Sequence, residues 1–280
     1  MTSTTIYLLV FFAALLHTLW NIIIKSLNNS LVGIAVKVFF QSIIFFPIIF
    51  FVDLPQGITW FYLFCSAVLH SLYFILLGSM YNRGDMTVIY PIARGCAPVF
   101  VTLWSLIFIN DSIPLLGIIG ILTVSLGLVL LSFENFKIGM GIKIIPTSLF
   151  IAFIISIYTF TDGAGVRSAD STVTYIVWNF FLSGWISITY AYLSNKKELF
   201  ELRFKDLMLI LLATIISFSA YAIIIWSMKI IPIAFVASMR ESSIVFASLI
   251  GYLFLKERIG YTRLFSGFIF FIGIYLIYNS

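Results

Sequence analysis

The stretch Val236–Phe254, VASMRESSIVFASLIGYLF, has the length and apolar character of a membrane-crossing helix, yet Arg240 and Glu241 stand side by side in its interior. A charged side chain at the centre of a bilayer costs about 2.5–3.5 kcal/mol on insertion scales. Both residues must therefore face a partner or a wet cavity rather than lipid. The rest of the chain is of the same kind. Of its 280 residues, 62% are hydrophobic and only 10% are charged, against about 25% charged in soluble domains. The mean hydropathy is +1.13, so lipid is the solvent for most of the chain. The formal net charge of +5 comes from basic residues scattered singly between apolar runs, which fits orienting loops and argues against a nucleic-acid partner. Cys65 and Cys96 lie in apolar runs without metal-ligand spacing and read as small buried hydrophobes. No metal site and no cofactor are expected.

A helix needs about 20 apolar residues to cross the hydrocarbon core. Ten segments qualify, at approximately 5–25, 31–52, 59–81, 87–109, 113–132, 144–165, 172–193, 206–228, 232–255 and 260–278. Helices are the spanning element because each satisfies its own backbone hydrogen bonds in lipid. The first segment has no basic residue before it and is long enough to span, so it reads as a retained helix rather than a cleaved signal. Ten helices leave almost no chain for a soluble domain.

Working outward, Met239–Ile259 (MRESSIVFASLIGYLFLKERI) aligns without a gap on Ala93–Ile113 (ARGCAPVFVTLWSLIFINDSI), 146 residues earlier. Arg94 meets Arg240, Asp111 meets Glu257, and further on Gly127 meets Gly273. A second match, at an offset of 142, sets His17–Lys25 (HTLWNIIIK) beside Thr159–Arg167 (TFTDGAGVR). The plan is five helices plus five, residues 1–136 and 137–280. Five is odd, so the second copy enters the membrane from the opposite side. The expected fold is an all-α integral membrane protein, ten transmembrane helices as a 5+5 inverted repeat around a central cavity, an architecture typical of carriers.

Positive charge marks cytoplasmic loops. Lys25, Arg83, Lys137, Lys143, Lys196, Lys197, Arg203, Lys205, Lys256, Arg258 and Arg263 fall on one side, and only Arg167 and Lys229 on the other. The bias places both termini outside the cytoplasm of a chain embedded in the cell's inner (plasma) membrane.

The tail of helix one (LHTLWNIIIK), the tail of helix six (YTFTDGAGVR) and the turn YLFLKERIGYTRLFSGFIFFIGI resemble the EamA-type branch of the drug/metabolite transporter superfamily. The resemblance covers nearly the whole chain. Asp111 stands where many members have Glu. The resemblance implies a ten-helix bundle whose helices 1, 3, 4, 6, 8 and 9 line the cavity, with 5 and 10 peripheral. Many members are drawn with both ends cytoplasmic, opposite to the charge count here.

Five formally charged residues lie well inside spans: Lys37, Arg94, Asp162, Arg240 and Glu241. Lys37, about six residues into helix two, reads as a structural residue that snorkels to the surface. Arg94 and Arg240 lie too deep for that. As repeat mates they are expected to approach the cavity from opposite halves, each offering a planar fork suited to carboxylate or phosphate. The competing reading pairs Arg240 with an acid and Arg94 with backbone carbonyls. Neighbouring residues on a helix point about 100° apart, so Glu241 is expected to meet a group across the bundle instead of Arg240. Asp162 reads as a partner for Arg94 or Arg240, a coupling-proton carrier, or an exposed helix-end carboxylate. The glycines at 163 and 165 permit close approach or local unwinding. His17 and His70 either titrate to gate proton coupling or pack as hydrogen-bonded residues. Trp20 and Asn21 sit one turn from His17. Tyr73, Tyr90, Tyr158, Tyr221 and Trp226 are candidate cavity walls, against the alternative of interface belts or packing. Pro91 and Pro98 flank Arg94 and predict a kinked helix short of backbone bonds.

Two deep positive and two deep negative groups, with Lys37 set aside, suit a zwitterion or small anion better than a lipophilic cation. The reading is a secondary-active, alternating-access transporter of a small polar metabolite: an amino acid, organic anion or similar zwitterion. Its partners are that solute, the bilayer and a coupling proton or exchanged solute, and the chain is expected to act as a monomer. A flippase for a phosphate-bearing lipid carrier is the transport alternative. An enzyme would need a cluster such as HExxH, a Ser–Lys dyad or paired aspartates, and the sequence has no such cluster and no Walker motif. A channel is disfavoured by two deep arginines and the lack of a ring-like filter.

Overall fold

The computed structural model describes residues 3–81, 86–132, 141–255 and 260–280. Arg83, Lys137, Lys256, Glu257 and Arg258, on which parts of the repeat and the charge count rest, lie outside these residues, as does the side chain of Lys143. The described residues are helical, without strands. In chain order the helices are α1 (Ser3–Lys25), α2 (Ser30–Phe45), α3 (Thr59–Tyr81), α4 (Met86–Phe108), α5 (Leu115–Ser132), α6 (Gly141–Ser168), α7 (Thr172–Leu182), α8 (Gly184–Ser194), α9 (Lys196–Phe200), α10 (Phe204–Met228), α11 (Ile233–Arg240), α12 (Ser242–Leu255) and α13 (Tyr261–Tyr278). A 3-10 turn, Ile48–Phe51, follows α2.

Ten segments among the described residues are long and apolar enough to cross a membrane. They coincide with the ten expected from sequence. Two of them are broken within: α7 and α8 share the span Thr172–Ser194, and α11 and α12 share Ile233–Leu253. Side chains such as Leu103, Ile107, Phe108, Leu264, Phe265 and Phe268 are exposed, as lipid-facing positions must be when the surrounding solvent is hydrocarbon.

The chain packs as two compact units. Unit 1 comprises Met1–Thr18, Asp85–Phe160 and Ile230–Ser280, and unit 2 comprises Leu19–Gly84 and Thr161–Lys229. Each unit draws on both sequence halves, and two of the boundaries fall inside α1 and α6.

In unit 1, α5 lies against α13 and α4. The α5–α13 seam is made by small residues. A Cβ on Gly120 would stand 2.8 Å from the carbonyl oxygen of Gly273, and one on Gly127 would stand 2.8 Å from the amide nitrogen of Phe270. Close approach of bare backbones replaces the hydrophobic drive that lipid does not supply. In unit 2, α2 packs on α3, α7, α8 and α10. There Ser42 accepts from the Gly184 amide (2.9 Å) and donates to the Phe180 carbonyl (3.2 Å). Backbone groups freed where α7 stops and α8 begins are thereby satisfied, as hydrocarbon requires.

Candidate functional site

Unit 1 buries an ion cluster. Arg94, on α4, is fully buried, and its Nε lies 2.6 Å from Oε2 of the equally buried Glu241. The Arg240 Nη2 lies 3.6 Å from the other carboxylate oxygen, Oε1. Glu241 meets a group on another helix, Arg94, as expected, but it also meets Arg240, which corrects the expectation that these helical neighbours point apart. The reason is local: α11 ends at Arg240 and α12 begins at Ser242, so Glu241 sits in a turn and not in a regular helix. Its amide bonds to Ser238 O at 3.2 Å and its carbonyl receives Ile244 N at 3.0 Å, both three residues away. The break occurs without a proline, whereas α4 runs as one helix through Pro91 and Pro98.

Neighbouring hydroxyls and rings complete the cluster. Arg94 Nη2 donates to Ser243 Oγ (3.4 Å) and Arg240 Nη2 to Thr159 Oγ1 (3.3 Å). Thr18 on α1 donates to the Ser243 carbonyl (2.8 Å). The Arg94 guanidinium lies 5.6 Å from the Tyr90 ring and that of Arg240 lies 5.9 Å from the Tyr158 ring. These are cation–π distances, short enough to help hold a guanidinium away from water. Asp111 accepts the Ile233 amide at 3.3 Å and so caps the start of α11.

Unit 2 buries a second cluster around Asp162, which is fully buried and not an exposed helix end. Its partner is His70, whose Nε2 lies 2.9 Å from Oδ2; the pairing with an arginine expected as one alternative gives way to this contact within the unit. Tyr221 also donates to Oδ2. Tyr175 and Asn179 donate to Oδ1 at 3.0 and 2.9 Å. Asn179 reaches Ser66 Oγ as well (2.9 Å). Gly165 makes room for this: α6 stays helical there, and a Cβ at that position would strike the Tyr175 ring at 2.5 Å.

Lys37 is the largest departure from expectation. Only 2% of it is exposed. It does not snorkel, because its Nζ turns into unit 2 and donates to Ser217 Oγ at 2.9 Å. The Trp20 and Phe74 rings cover it, with centroids at 4.3 and 4.9 Å.

Of the residues proposed from sequence, Arg94, Arg240, Glu241, Tyr90 and Tyr158 meet in unit 1, and Asp162, His70 and Tyr221 meet in unit 2, where Trp20 covers Lys37. His17 and Asn21 are half-buried on α1, and Tyr73 is buried on α3 with its ring 5.5 Å from Phe74. Trp226 is half-buried near the end of α10. Sequence reasoning missed Lys37 as an interior group, along with Ser66, Phe74, Tyr175, Asn179 and Ser217. A signal was present. Lys37 and Gln41, Ser66 and His70, Tyr175 and Asn179, and Ser217 and Tyr221 are polar pairs four residues apart in apolar spans. That spacing sets both members on one helix face.

Ten apolar helices with charged groups buried inside define a polytopic, all-α membrane protein. Residues 142–279 match the EamA-like transporter family. The chain belongs to that family through this half of its length, and so to the membrane transporters of the drug/metabolite superfamily. No curated protein is a significant match. A solved crystal structure of a protein 14% identical in sequence superposes with a TM-score of 0.75, covering 99% of this chain and 98% of the other, and so shares its fold.

Proposed function

We propose that the chain is a secondary-active carrier of a small polar metabolite bearing a carboxylate: an amino acid, an organic anion or a similar zwitterion. The supporting observation is the convergence of two buried guanidinium groups, Arg94 and Arg240, on the single carboxylate of Glu241. Glu241 illustrates the chemistry those groups accept, since a planar fork matches a carboxylate in geometry as well as charge. A solute carboxylate competing for the same forks would be recognised by the same bonds. Tyr90, Tyr158, Thr159 and Ser243 are proposed as flanking contacts.

On this reading the five-helix halves 1–136 and 137–280 are inverted copies that exchange roles during alternating access, in the plasma membrane, with both termini outside the cytoplasm and the chain acting as a monomer. Guanidinium forks also suit phosphate, so a flippase for a phosphate-bearing lipid carrier is the second reading.

The test is counterflow in proteoliposomes. Vesicles loaded with unlabelled amino acids and small carboxylic acids should take up the matching ¹⁴C-labelled mixture transiently, and Arg94→Ala should abolish the overshoot. Thermal shift against each component then identifies the solute. No overshoot with the mixture, together with transbilayer movement of a fluorescent polyprenyl phosphate, decides for the flippase.

A further inference from the structure

Lys37 belongs to neither cluster just assigned, and it is the most unusual charge in unit 2. It lies seven residues into α2, about 10 Å along the helix axis from Ser30 at a rise of 1.5 Å per residue. Its amine has one hydrogen-bond acceptor, Ser217, and two ring faces, Trp20 and Phe74. No carboxylate lies within ion-pair distance of it among the described residues. Thr214, one turn before Ser217, donates to the Lys37 carbonyl at 3.2 Å, so backbone and side chain are both fixed against α10. One hydroxyl and two rings replace only part of the hydration an ammonium has in water. An isolated ionisable group in such surroundings neutralises instead of remaining charged.

We propose that Lys37 takes up a proton when unit 2 opens to water and releases it when the unit packs as seen here, coupling transport to protons. The titratable groups around it favour this assignment. On α3 His70 stands one turn before Phe74, and on α10 Tyr221 stands one turn after Ser217. Both are already bonded to Asp162, as is Tyr175 of α7. Tyr73 is also on α3 and Tyr190 is exposed on α8, and α1 contributes the non-titrating ring of Trp20. Asp162 receives four side-chain donors, which hold it as a fixed carboxylate. It reaches His70 and Tyr221, each one turn along its own helix from a group on the lysine, and makes no ion pair with Lys37 among the described residues. Water entering the site would solvate the ammonium directly, so protonation on opening does not depend on an ion pair with Asp162.

The coupling part rests on the carrier reading above; the proton exchange rests on unit 2 alone. Two measurements separate them. The first needs no solute: melting temperatures of nanodisc-embedded wild type and Lys37→Met between pH 6 and pH 9. Loss of a proton on packing means that stability rises with pH. The lead of Lys37→Met over wild type should therefore be larger at pH 6 than at pH 9. A constant difference overturns the inference.

The second uses the ¹⁴C-labelled mixture of amino acids and carboxylic acids. At zero membrane potential, one pH unit should drive about tenfold accumulation by wild type if one proton moves per solute. Lys37→Met should keep counterflow and lose that accumulation, whereas accumulation equal to wild type overturns the coupling role. If wild type shows no counterflow, the carrier reading has failed, and the melting experiment alone decides the lysine.

Discussion

At the scale of single residues, the chain carries its polar chemistry as small closed groups whose members depend on one another. Removing Glu241 alone leaves two buried guanidinium groups without their shared carboxylate. Breaking a buried pair from one side costs about 3–5 kcal/mol, much of it the desolvation of the charge left behind. Arg94→Met and Glu241→Met should each lower the melting temperature sharply, and the double substitution should fall well short of their sum. A coupling energy below about 0.5 kcal/mol in that cycle would mean that the two groups do not interact. The Asp162 group should respond in graded fashion. Tyr175→Phe removes one donor of four and should cost about 1 kcal/mol, while Asp162→Ala removes the acceptor that all four share and should cost more, about 1–3 kcal/mol for each buried donor left without another partner. Denaturation in mild detergent reads both. The deep charges were legible as such in the sequence, because an arginine inside an apolar span has few innocent explanations. Their partners were not. Whether Asp162 finds His70 or an arginine depends on which helices touch, and neither hydropathy nor spacing within one helix carries that information. The fate of Lys37 was misjudged because depth along a helix permits snorkelling but does not say which way the side chain turns.

At the scale of helices, two interruptions and one seam shape the units. The break at Glu241 lets adjacent residues converge, and the break at Ser183 is held by Ser42 and by Gln41, whose Nε2 donates to Ser183 Oγ at 3.2 Å. Neither break has a proline, so the usual sequence signal of an interrupted helix was absent. Pro91 and Pro98, which did supply that signal, lie within a helix that continues. The seam had a mark in the sequence that was not read as a contact: Gly127 and Gly273, paired by the offset of 146, both lie where α5 meets α13. The seam carries a test with its own control on one helix. A Cβ at Gly273 would stand 2.6 Å from the Val124 amide nitrogen, while one at Gly267 meets nothing within 4 Å. Backbone cannot yield as a flexible side-chain tip can, so Gly273→Ala should destabilise by about 1–3 kcal/mol. Gly267→Ala should be neutral or slightly stabilising, since alanine is the better helix former. Equal melting temperatures for the two variants would show that α5 and α13 are not in contact at Gly273.

At the scale of the whole molecule, the number of spans and the distribution of loop charge set orientation. If the ten apolar spans found among the described residues all cross, both ends are expected on one side. The basic residues on the other side of the membrane from the cluster of loop positives are Arg167 and Lys229, and both bind the ends of helices in unit 2. Arg167 Nε donates to the Met228 carbonyl at 2.8 Å, and Lys229 Nζ donates to the carbonyls of Val166 and Ala169 at 2.9 and 3.0 Å. They satisfy backbone oxygens that the last turns of α6 and α10 leave exposed, where a cation also meets the favourable end of the helix dipole. Lys25, Lys196, Lys197, Arg203 and Lys205 are exposed by contrast, and so are the residues expected to hold their loops in the cytoplasm. In a background with Cys65 and Cys96 replaced by Ala, Asp170→Cys should react with an impermeant maleimide on intact cells, and Asn195→Cys only after permeabilisation. Replacing Lys196, Lys197, Arg203 and Lys205 together by Gln should scramble that pattern. Arg167→Ala and Lys229→Ala should leave it intact while weakening the helix ends by about 0.3–1 kcal/mol each. Labelling of Asn195→Cys on intact cells would invert the orientation and place both termini in the cytoplasm, because a continuous chain of ten spans allows no third arrangement.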